Sequence, residues 1–285
     1  MSVSASHRDE SFARKPNFPD EWQYFGGSEH VSSVAMLGNG PSLKEVNLRD
    51  LDGIATIGMN AAYRHWERID WYPTYYCCLD EVVVESHADA IAGLLDEGRV
   101  QRAFLSGRFF EVKPEYVNDP RILDLDRVSD AWFRHRGEAT GKSFLPHAAF
   151  TSCYPSLITT GSWATRWAAF LGYRYAFMFG VDLEYVEKVD GAVLGAEGHL
   201  RMTVTPDHNP NYFIDDYQQV GDEFQVPNPI LERPRMHVEA FAAIIHDFDQ
   251  QKVGCELFSA QPESGLARTR LFPAKVPEAL GRNTP

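Results

Sequence analysis

A glycine-rich loop follows the first predicted strand and could hold an anionic group. The strand at 31–37 runs directly into the sequence Gly-Asn-Gly-Pro-Ser at 38–42. The first βα turn of a doubly wound α/β fold is where phosphates bind, because glycines let the backbone come close and the next helix offers free N–H groups. The loop is neither a Walker A loop nor a full dinucleotide fingerprint, and it also fits a tight turn with a serine N-cap. The candidate phosphate-binding residues are Gly38, Asn39, Gly40 and Ser42.

Two further polar residues stand at the ends of predicted strands. Asn60 ends the strand at 54–60, where an amide can bind a ribose hydroxyl or a phosphate, although Asn is also a common turn residue. Asp182 ends the strand at 175–182 and is followed by Glu184. Residues two apart on an extended segment share a face, so both carboxylates could reach one cation. We favour for Asp182 either a hydrogen bond to a ligand hydroxyl or bonds accepted from loop N–H groups.

A predicted helix at 161–171 begins with Thr159-Thr160-Gly161-Ser162. Hydroxyl and N–H groups at a helix N-terminus suit an anionic ligand group. The same residues would also serve as an ordinary capping sequence. Thr160 and Gly161 are therefore candidate ligand-binding residues.

Histidine, aspartate and tyrosine cluster at 207–217, within a segment at about 183–235 that is rich in Gly, Pro, Asn and Asp. We interpret that segment as a lid over the site. A His or a carboxylate in it could take a proton from a hydroxyl group, and the alternative is a surface loop with packed tyrosines. The candidate catalytic residues are His208, Tyr212, Asp215 and Tyr217.

The elements that would position these residues alternate between strand and helix. Short apolar runs at 74–80, 102–106 and 253–258 join those already named, and they lack the alternation of half-exposed strands. Helical patterns occupy 82–97, 161–171 and 236–251. The order predicts an α/β fold with a Rossmann-like, mostly parallel sheet, helices on both faces and a lid insertion. We expect a polar leader at 1–30, a single domain at 31–272 and a loose tail at 273–285.

Composition narrows the function classes. The 285 residues include 27 Lys and Arg against 40 Asp and Glu, for a formal net charge of −13. This charge disfavours a general nucleic-acid binder and docking on anionic lipid through a basic patch. The four cysteines form no Cys-x-x-Cys pair, and the polar N-terminus has no apolar core of a signal peptide. No apolar run reaches the length of a membrane span, so we expect a cytoplasmic protein without one.

The ordered motifs resemble those of the bacterial lipooligosaccharide sialyltransferases, which use CMP-sialic acid. Gly38 to Glu45 looks like that family's nucleotide loop, and Asn60 falls where the family has an Asn after its second strand. Ile158 to Asp182 is similar to its Thr-Ser-Gly to Gly-Ile-Asp stretch, and Phe258 to Leu266 to its Cys-Pro-Asn-Ser-Leu segment. The layout is also similar to the related 6-hydroxymethylpterin diphosphokinase-like domain family.

The first resemblance implies a glycosyltransferase that moves a sialic-acid-like sugar from a CMP-linked donor to a hydroxyl of a surface glycan or glycolipid. Asn60 and Asp182 would then hold the nucleoside, and Thr160 and Gly161 the transferred group. In that family the general base is a His three residues after a lid tyrosine. Counting from Tyr212, this position is Asp215 in the present sequence. Asp215 and the nearby His208 are therefore both candidate bases. Tyr212 or Tyr217 would steady the leaving phosphate. The resemblance implies no tightly bound cofactor and no metal.

Two other functions stay open at the level of sequence. The second resemblance implies pyrophosphate transfer from ATP to a pterin-like alcohol, for which Asp80, Asp182 and Glu184 would be magnesium ligands. A non-catalytic module that binds a nucleotide or a glycan would need the same loop but no base. With any of these functions, the protein could form a homo-oligomer.

Overall fold

A computed structural model describes residues 33–125, 149–150, 152, 158–186, 188–195, 198–227 and 235–277. The expected leader at 1–30 and the end of the expected tail, 278–285, lie outside these residues.

Within the described ranges, ten strands form two sheets. The strands are β1 (Ser33–Leu37), β2 (Ala55–Met59), β3 (Tyr75–Cys78), β4 (Arg102–Leu105), β5 (Ile122–Asp124), β6 (Tyr175–Phe179), β7 (Ala192–Leu194), β8 (Leu200–Met202), β9 (Glu223–Phe224) and β10 (Glu256–Ser259). The larger sheet has the order β10-β6-β1-β2-β3-β4-β5, and every pairing in it is parallel. The predicted fold class is confirmed.

Helices cover both faces of the larger sheet. They are α1 (Tyr63–Ile69), α2 (Glu81–Ser86), α3 (Ala88–Asp96), α4 (Arg108–Val112), α5 (Thr160–Phe170), α6 (Met236–Gln251) and α7 (Gly265–Thr269). Successive residues of a strand point to opposite faces. Val34 and Met36 therefore join the core beneath α5 and α6, whereas Ala35 and Leu37 join the core beneath α1 and α3.

The helix predicted at 236–251 is confirmed, and the helix predicted at 161–171 corresponds to α5, which is followed by Gly172 at φ +87°. The single helix predicted at 82–97 is wrong, because the chain leaves helical geometry at His87, whose φ is −114° and ψ 14°. The His87 ring is buried and its Nδ1 lies 2.8 Å from the Tyr63 hydroxyl. The short elements α1, α4, α7 and β5 were not predicted.

The described part of the segment interpreted from sequence as a lid (residues 183–235, called the lid below) contains the small antiparallel sheet of β7, β8 and β9. Its later part is joined to α1, where the Arg64 guanidinium donates to both carboxylate oxygens of Asp222 at 2.5 and 2.8 Å and to the Tyr217 carbonyl at 2.7 Å. The Ser86 hydroxyl accepts from the Glu223 N–H at 3.1 Å. Residues 273–275, placed in the expected tail, run beside β10, with hydrogen bonds between Ser259 and both Pro273 and Lys275.

Across the described part of the chain, no helix is both long and apolar enough to cross a membrane.

Candidate active site

A cleft of about 510 Å³ opens at the carboxyl ends of the parallel strands. β1 has β2 on one side and β6 on the other, so the chain reverses its direction across the sheet at β1. Ligands of open α/β sheets bind outside the carboxyl ends of the strands at such a switch point. The cleft is lined by eight of the residues predicted for a glycosyltransferase site: Gly38, Asn39, Gly40, Asn60, Thr160, Gly161, Asp182 and Tyr212.

The glycine loop is fastened to the end of β6. The Gly38 N–H donates to the Phe179 carbonyl at 2.7 Å, and the Gly40 N–H donates to the Gly180 carbonyl at 2.8 Å. A Cβ at position 38 would overlap the carbonyl oxygen of Gly180, so glycine is required there by close backbone contact. These N–H groups are already donating, and the expectation that they hold a phosphate does not agree with this geometry.

Asp182 joins three segments at the edge of the sheet. Its carboxylate accepts from the Ser42 N–H at 2.8 Å and from the Gly265 N–H at 3.0 Å. The alternative that Asp182 accepts loop N–H bonds is therefore confirmed. Gln261 reinforces the junction, because its Nε2 donates to the Ser42 carbonyl at 2.7 Å and its Oε1 accepts from the Gly180 N–H.

Ser42 does not line the cleft. It lies inside the 3-10 helix Pro41–Glu45, whose N-cap is Gly40, so the expectation of Ser42 as N-cap is wrong. The Ser42 hydroxyl donates to Gln261 Oε1 at 3.4 Å. With Pro41 at the first helical position, the turn begins two residues earlier than a Ser42 N-cap would place it.

Asn39 and Asn60 stand side by side at the ends of β1 and β2. The Asn39 Nδ2 donates to the Tyr217 hydroxyl at 2.7 Å and to the Met59 carbonyl at 3.3 Å. Asn60 has a φ of +52°, a left-handed conformation that Asn tolerates better than most residues. The Oδ1 atoms of both residues are buried and have no hydrogen-bond partner.

Helix α5 points its N-terminus at the cleft. Thr159 and Ser162 form a reciprocal capping box, as the capping alternative predicted. The N–H groups of the first helical turn have no partner within a helix and carry partial positive charge. Thr160 and Gly161 bring that end of the helix to the cleft wall.

Two tyrosines of the lid form a parallel stack behind the cleft. The rings of Tyr212 and Tyr217 are 3.9 Å apart with an interplanar angle of 11°. Tyr212 lines the cleft, whereas Tyr217 is buried beneath Asn39 and also accepts from the Ala61 N–H at 3.1 Å. Burial raises the pKa of both phenols well above the ordinary value, so both keep their protons at neutral pH.

His208 and Asp215, predicted as alternative bases, form a pair. His208 Nδ1 lies 2.8 Å from Asp215 Oδ1, and the hydrogen bond from His208 lowers the pKa of Asp215. The His208 side chain is 77% exposed, and neither residue lines the cleft.

The cleft is rich in acidic side chains. Its lining includes Asp80, Glu81, Asp182 and Glu184, and none of the lining residues that the structure describes is Lys or Arg. Asp80 caps α2 by accepting from the Val82 and Val83 N–H groups, and burial raises its pKa. Glu184 pairs with Arg268 at 3.2 Å. Within the described ranges, no three His, Cys, Asp or Glu residues are close enough together to hold a metal ion.

Sequence reasoning missed three residues of the site. Tyr185 and His237 line the cleft with their ring centroids 4.9 Å apart, and the His237 Nε2 lies 2.8 Å from the Pro227 carbonyl. Asn211 is buried and bonds through its amide to both the N–H and the carbonyl of Val186. The start of the helix at 236–251 was a usable signal for His237, since helix N-termini at a sheet edge face ligands.

Comparison with known proteins supports the fold. No family model and no curated protein matches the chain. The monofunctional alpha-2,3-sialyltransferase Cst-I from Campylobacter jejuni is 15% identical, with a TM-score of 0.50 over 91% of this chain and 85% of that chain. The sialyltransferase CstII of the same organism, solved with cytidine-5'-monophosphate, is 16% identical, with a TM-score of 0.49 over 91% and 90%. The CstII complex with CMP-3FNeuAc is 16% identical, with a TM-score of 0.48 over 87% of each chain. The likeness to Cst-I shows that the chain has a sialyltransferase-like fold. The pterin-kinase resemblance gains no support from the comparisons.

Proposed function

We propose that this protein is a glycosyltransferase that moves a sialic-acid-like sugar from a CMP-linked donor to a hydroxyl group of a glycan or glycolipid. The observation that carries the proposal is the cleft at the β1–β6 switch point, walled by the loop at 38–42, the start of α5 and the lid. A donor with a base, a ribose, a phosphate and a sugar needs several separate subsites. The likeness in fold to Cst-I, a sialyltransferase, makes CMP the first nucleotide to test.

The start of α5 is our candidate for the anionic part of the donor. Its helix dipole and unpaired N–H groups favour negative charge near Thr160 and Gly161. The N–H groups of Gly38, Gly40 and Ser42 already donate within the protein, so these three donors are taken and the start of α5 is the better candidate. The carboxylates elsewhere in the lining would repel an anion and so favour the same end of the cleft.

Tyr212 is our candidate for steadying the leaving phosphate. A phenol that stays protonated can donate a hydrogen bond to the negative charge that develops as the sugar–phosphate bond breaks. Tyr217 would position Tyr212 and Asn39, because its ring stacks on that of Tyr212 and its hydroxyl accepts a hydrogen bond from the Asn39 amide.

The base that takes the proton of the acceptor hydroxyl has two candidate positions. The His208–Asp215 pair has suitable chemistry, and the lid would have to carry it to the cleft. His237 already lines the cleft. A general base must come within hydrogen-bond reach of the proton it removes, so the two positions imply different amounts of lid movement.

The first experiment is a thermal-shift screen with CMP, CDP, UDP, GDP and ATP, followed by incubation with CMP-sialic acid and lactose-type acceptors. We expect CMP to raise the melting temperature and CMP release to depend on acceptor. Stabilisation by ATP alone, with magnesium-dependent turnover, would contradict the proposal. Binding of CMP without consumption of any CMP-linked donor would favour a non-catalytic module.

The base is then identified with the variants His208→Gln, Asp215→Asn and His237→Gln. The variant of the true base should lose at least roughly a hundredfold in turnover while still binding CMP. His246, which is exposed on α6, provides the matched control His246→Gln. Full activity in all three variants would refute both positions.

A further inference from the structure

The Asp80 carboxylate has one oxygen with a structural role and one without. Asp80 follows β3 and lines the cleft. Its Oδ1 accepts from the Val82 N–H at 3.0 Å and from the Val83 N–H at 3.2 Å, and so caps α2. Among the residues that the structure describes, none donates a hydrogen bond to Oδ2. This second oxygen is therefore left for a ligand.

The carboxylate of Asp80 is poorly hydrated, yet a ligand can reach it from the cleft. The residue is half-buried, and it belongs to the cleft lining. Burial raises the pKa of Asp80 even though the hydrogen bonds from Val83 and Val82 lower it. A poorly hydrated carboxylate oxygen without a donor costs free energy, which a hydrogen bond from a ligand would offset.

Asp80 lies near both groups that are our candidates for binding the donor. The N–H of Leu79, the preceding residue, donates to the Thr160 hydroxyl at 3.4 Å and so joins this segment to the start of α5. On the lid side, burial and the neighbouring Tyr185 and Asp80 raise the pKa of Tyr212, which indicates that the carboxylate lies close to this phenol. A ligand group bound to Asp80 would therefore lie beside the sugar that is transferred.

The charge around Asp80 restricts the chemistry of that ligand group. A carboxylate accepts hydrogen bonds and cannot donate them, so it cannot bind a phosphate or another carboxylate directly. Glu81 adds a second negative charge to the lining, and none of the described lining residues is Lys or Arg. Like charges repel more strongly where water is partly excluded, so an anionic ring is disfavoured at this position. A sugar hydroxyl supplies the missing donor without adding charge.

We propose that Asp80 Oδ2 accepts a hydrogen bond from a hydroxyl group of an uncharged sugar residue of the acceptor. This inference rests on the proposed function and gives that function an acceptor subsite. Asp80 binds and orients the acceptor, and removal of the acceptor proton stays with the base. The protein should then transfer to neutral sugars in preference to uronic acids.

Two substitutions remove the second oxygen of Asp80 and keep the cap of α2. Asp80→Ser leaves a short hydroxyl, and serine is a good N-cap. Asp80→Asn keeps one oxygen for the Val82 and Val83 N–H groups and puts an N–H₂ group in place of Oδ2. With methyl β-lactoside as the acceptor, we expect its KM to rise roughly ten- to hundredfold in both variants, because a hydrogen bond to a charged group is lost. The dissociation constant of CMP should not rise.

Monodeoxy analogues of methyl β-lactoside identify the hydroxyl group that Asp80 binds. Their inhibition constants are measured with the wild type and with Asp80→Ser, one galactose hydroxyl being removed at a time. We expect one analogue to bind roughly tenfold more weakly than the parent compound in the wild type, and the two to bind equally in the variant. A purely structural role of Asp80 would not change this ratio. Asp249→Asn, at an exposed position on α6, is the matched control and should leave the acceptor KM and the ratio unchanged.

The preference for an uncharged ring has its own test. Methyl β-galactoside and methyl β-galacturonide, which has a carboxylate in place of the hydroxymethyl group, are compared as inhibitors competing with the lactoside. We expect the wild type to bind the galactoside roughly tenfold more tightly, and Asp80→Asn to reduce that preference because one negative charge is removed. Equal binding of the two compounds by the wild type would overturn the assignment of an uncharged ring.

The failures are distinguishable. If no nucleotide binds and no CMP-linked donor is consumed, the proposed function and this inference both fall. If CMP is released but Asp80→Ser and Asp80→Asn keep the wild-type KM for the acceptor, only this inference falls. A weaker CMP complex with an unchanged acceptor KM would place Asp80 on the donor and overturn the inference. So would a failure of every neutral glycoside in a panel of galactosides, glucosides and mannosides to bind.

Discussion

The ion pair between Arg64 and Asp222 joins the lid to α1, and its removal tests whether the lid is held as the structure shows. Arg64 donates to both carboxylate oxygens of Asp222 and to the carbonyl of Tyr217. The side chains of Arg64 and Asp222 are only 13% and 11% exposed. Arg64→Met keeps most of the side-chain volume and removes all three hydrogen bonds, which leaves the Asp222 carboxylate buried without its cation.

The size of the effect follows from that uncompensated charge. Removing one partner of a buried ion pair costs about 3–5 kcal/mol. The free energy of unfolding of a natural protein is about 5–15 kcal/mol, so the variant should lose a large share of it. At about 2–4 °C per kcal/mol, the melting temperature should fall by roughly 6–20 °C.

The assay is urea unfolding followed by circular dichroism, for the wild type, Arg64→Met, Asp222→Leu and the double variant. The double variant leaves no isolated charge, so it should be more stable than the sum of the two single losses predicts. Arg108→Met removes the exposed ion pair between Arg108 and Glu85 and serves as the matched control. That control should leave the unfolding midpoint unchanged, because exposed pairs contribute little.

An unfolding midpoint of Arg64→Met that equals the wild-type value would refute this reasoning. So would single-variant losses that simply add in the double variant, since the two side chains would then not be coupled. A change in the urea slope without a change in midpoint would indicate a lid that is already detached in the wild type.

Three further predictions concern other parts of the fold. Gly265→Ala places a Cβ on the carbonyl oxygen of Asp182 and should prevent folding or lower the free energy of unfolding by more than about 4 kcal/mol. Its control is Gly93→Ala, whose Cβ meets nothing within 4 Å and should raise the free energy of unfolding by about 0.5–1 kcal/mol in chemical denaturation. Burial lowers the pKa of His87 to about 4 from an ordinary 6.5, so between these pH values the unfolded chain binds a proton that the folded chain does not. The free energy of unfolding should therefore fall as the pH drops from 6.5 to 4, and His87→Gln should reduce this pH dependence. Tyr217→Phe removes an acceptor from two donors and should cost roughly 1–3 kcal/mol in urea unfolding.

Each of these outcomes has a control. For the pH slope, His246→Gln at an exposed position should keep the wild-type dependence, and an unchanged slope in His87→Gln would contradict the role of burial. For Tyr217, the equivalent change Tyr116→Phe removes a hydroxyl bonded to an exposed carboxylate and should have a smaller effect. A soluble, stable Gly265→Ala protein would mean that the junction at Asp182 is looser than described.

The strand ends at the sheet edge could be predicted from sequence because the relevant patterns are local. Apolar runs without alternation indicate buried parallel strands, and the residue after each run then lies at the ligand edge. Gly38, Asn60 and Asp182 were found in this way, and all three line the cleft. The short helices α4 and α7 and the strand β5 could not be predicted. Each has five residues or fewer, which is too short to show a hydrophobic periodicity.

Hydrogen-bond partners distant in sequence were the main source of error at the site. The sequence of the glycine loop is typical of a phosphate-binding loop. In the fold, the end of β6 and the residue after it lie beside the loop and accept hydrogen bonds from the Gly38 and Gly40 N–H groups. His208 lies in the right segment, but its position relative to the cleft depends on how the lid folds. His237 was not predicted, because its place in the cleft lining depends on how the helix at 236–251 packs against parts of the chain that are distant in sequence.

The junction of the glycine loop with Asp182 and Gln261 has a consequence for inhibitor design. Glycines usually suggest a pliable segment, yet hydrogen bonds tie this loop to β6 and to the chain after β10. That wall of the cleft is therefore the rigid template. A compound shaped against this part of the lining would meet a surface fixed by hydrogen bonds, so its fit could be designed from the geometry shown here.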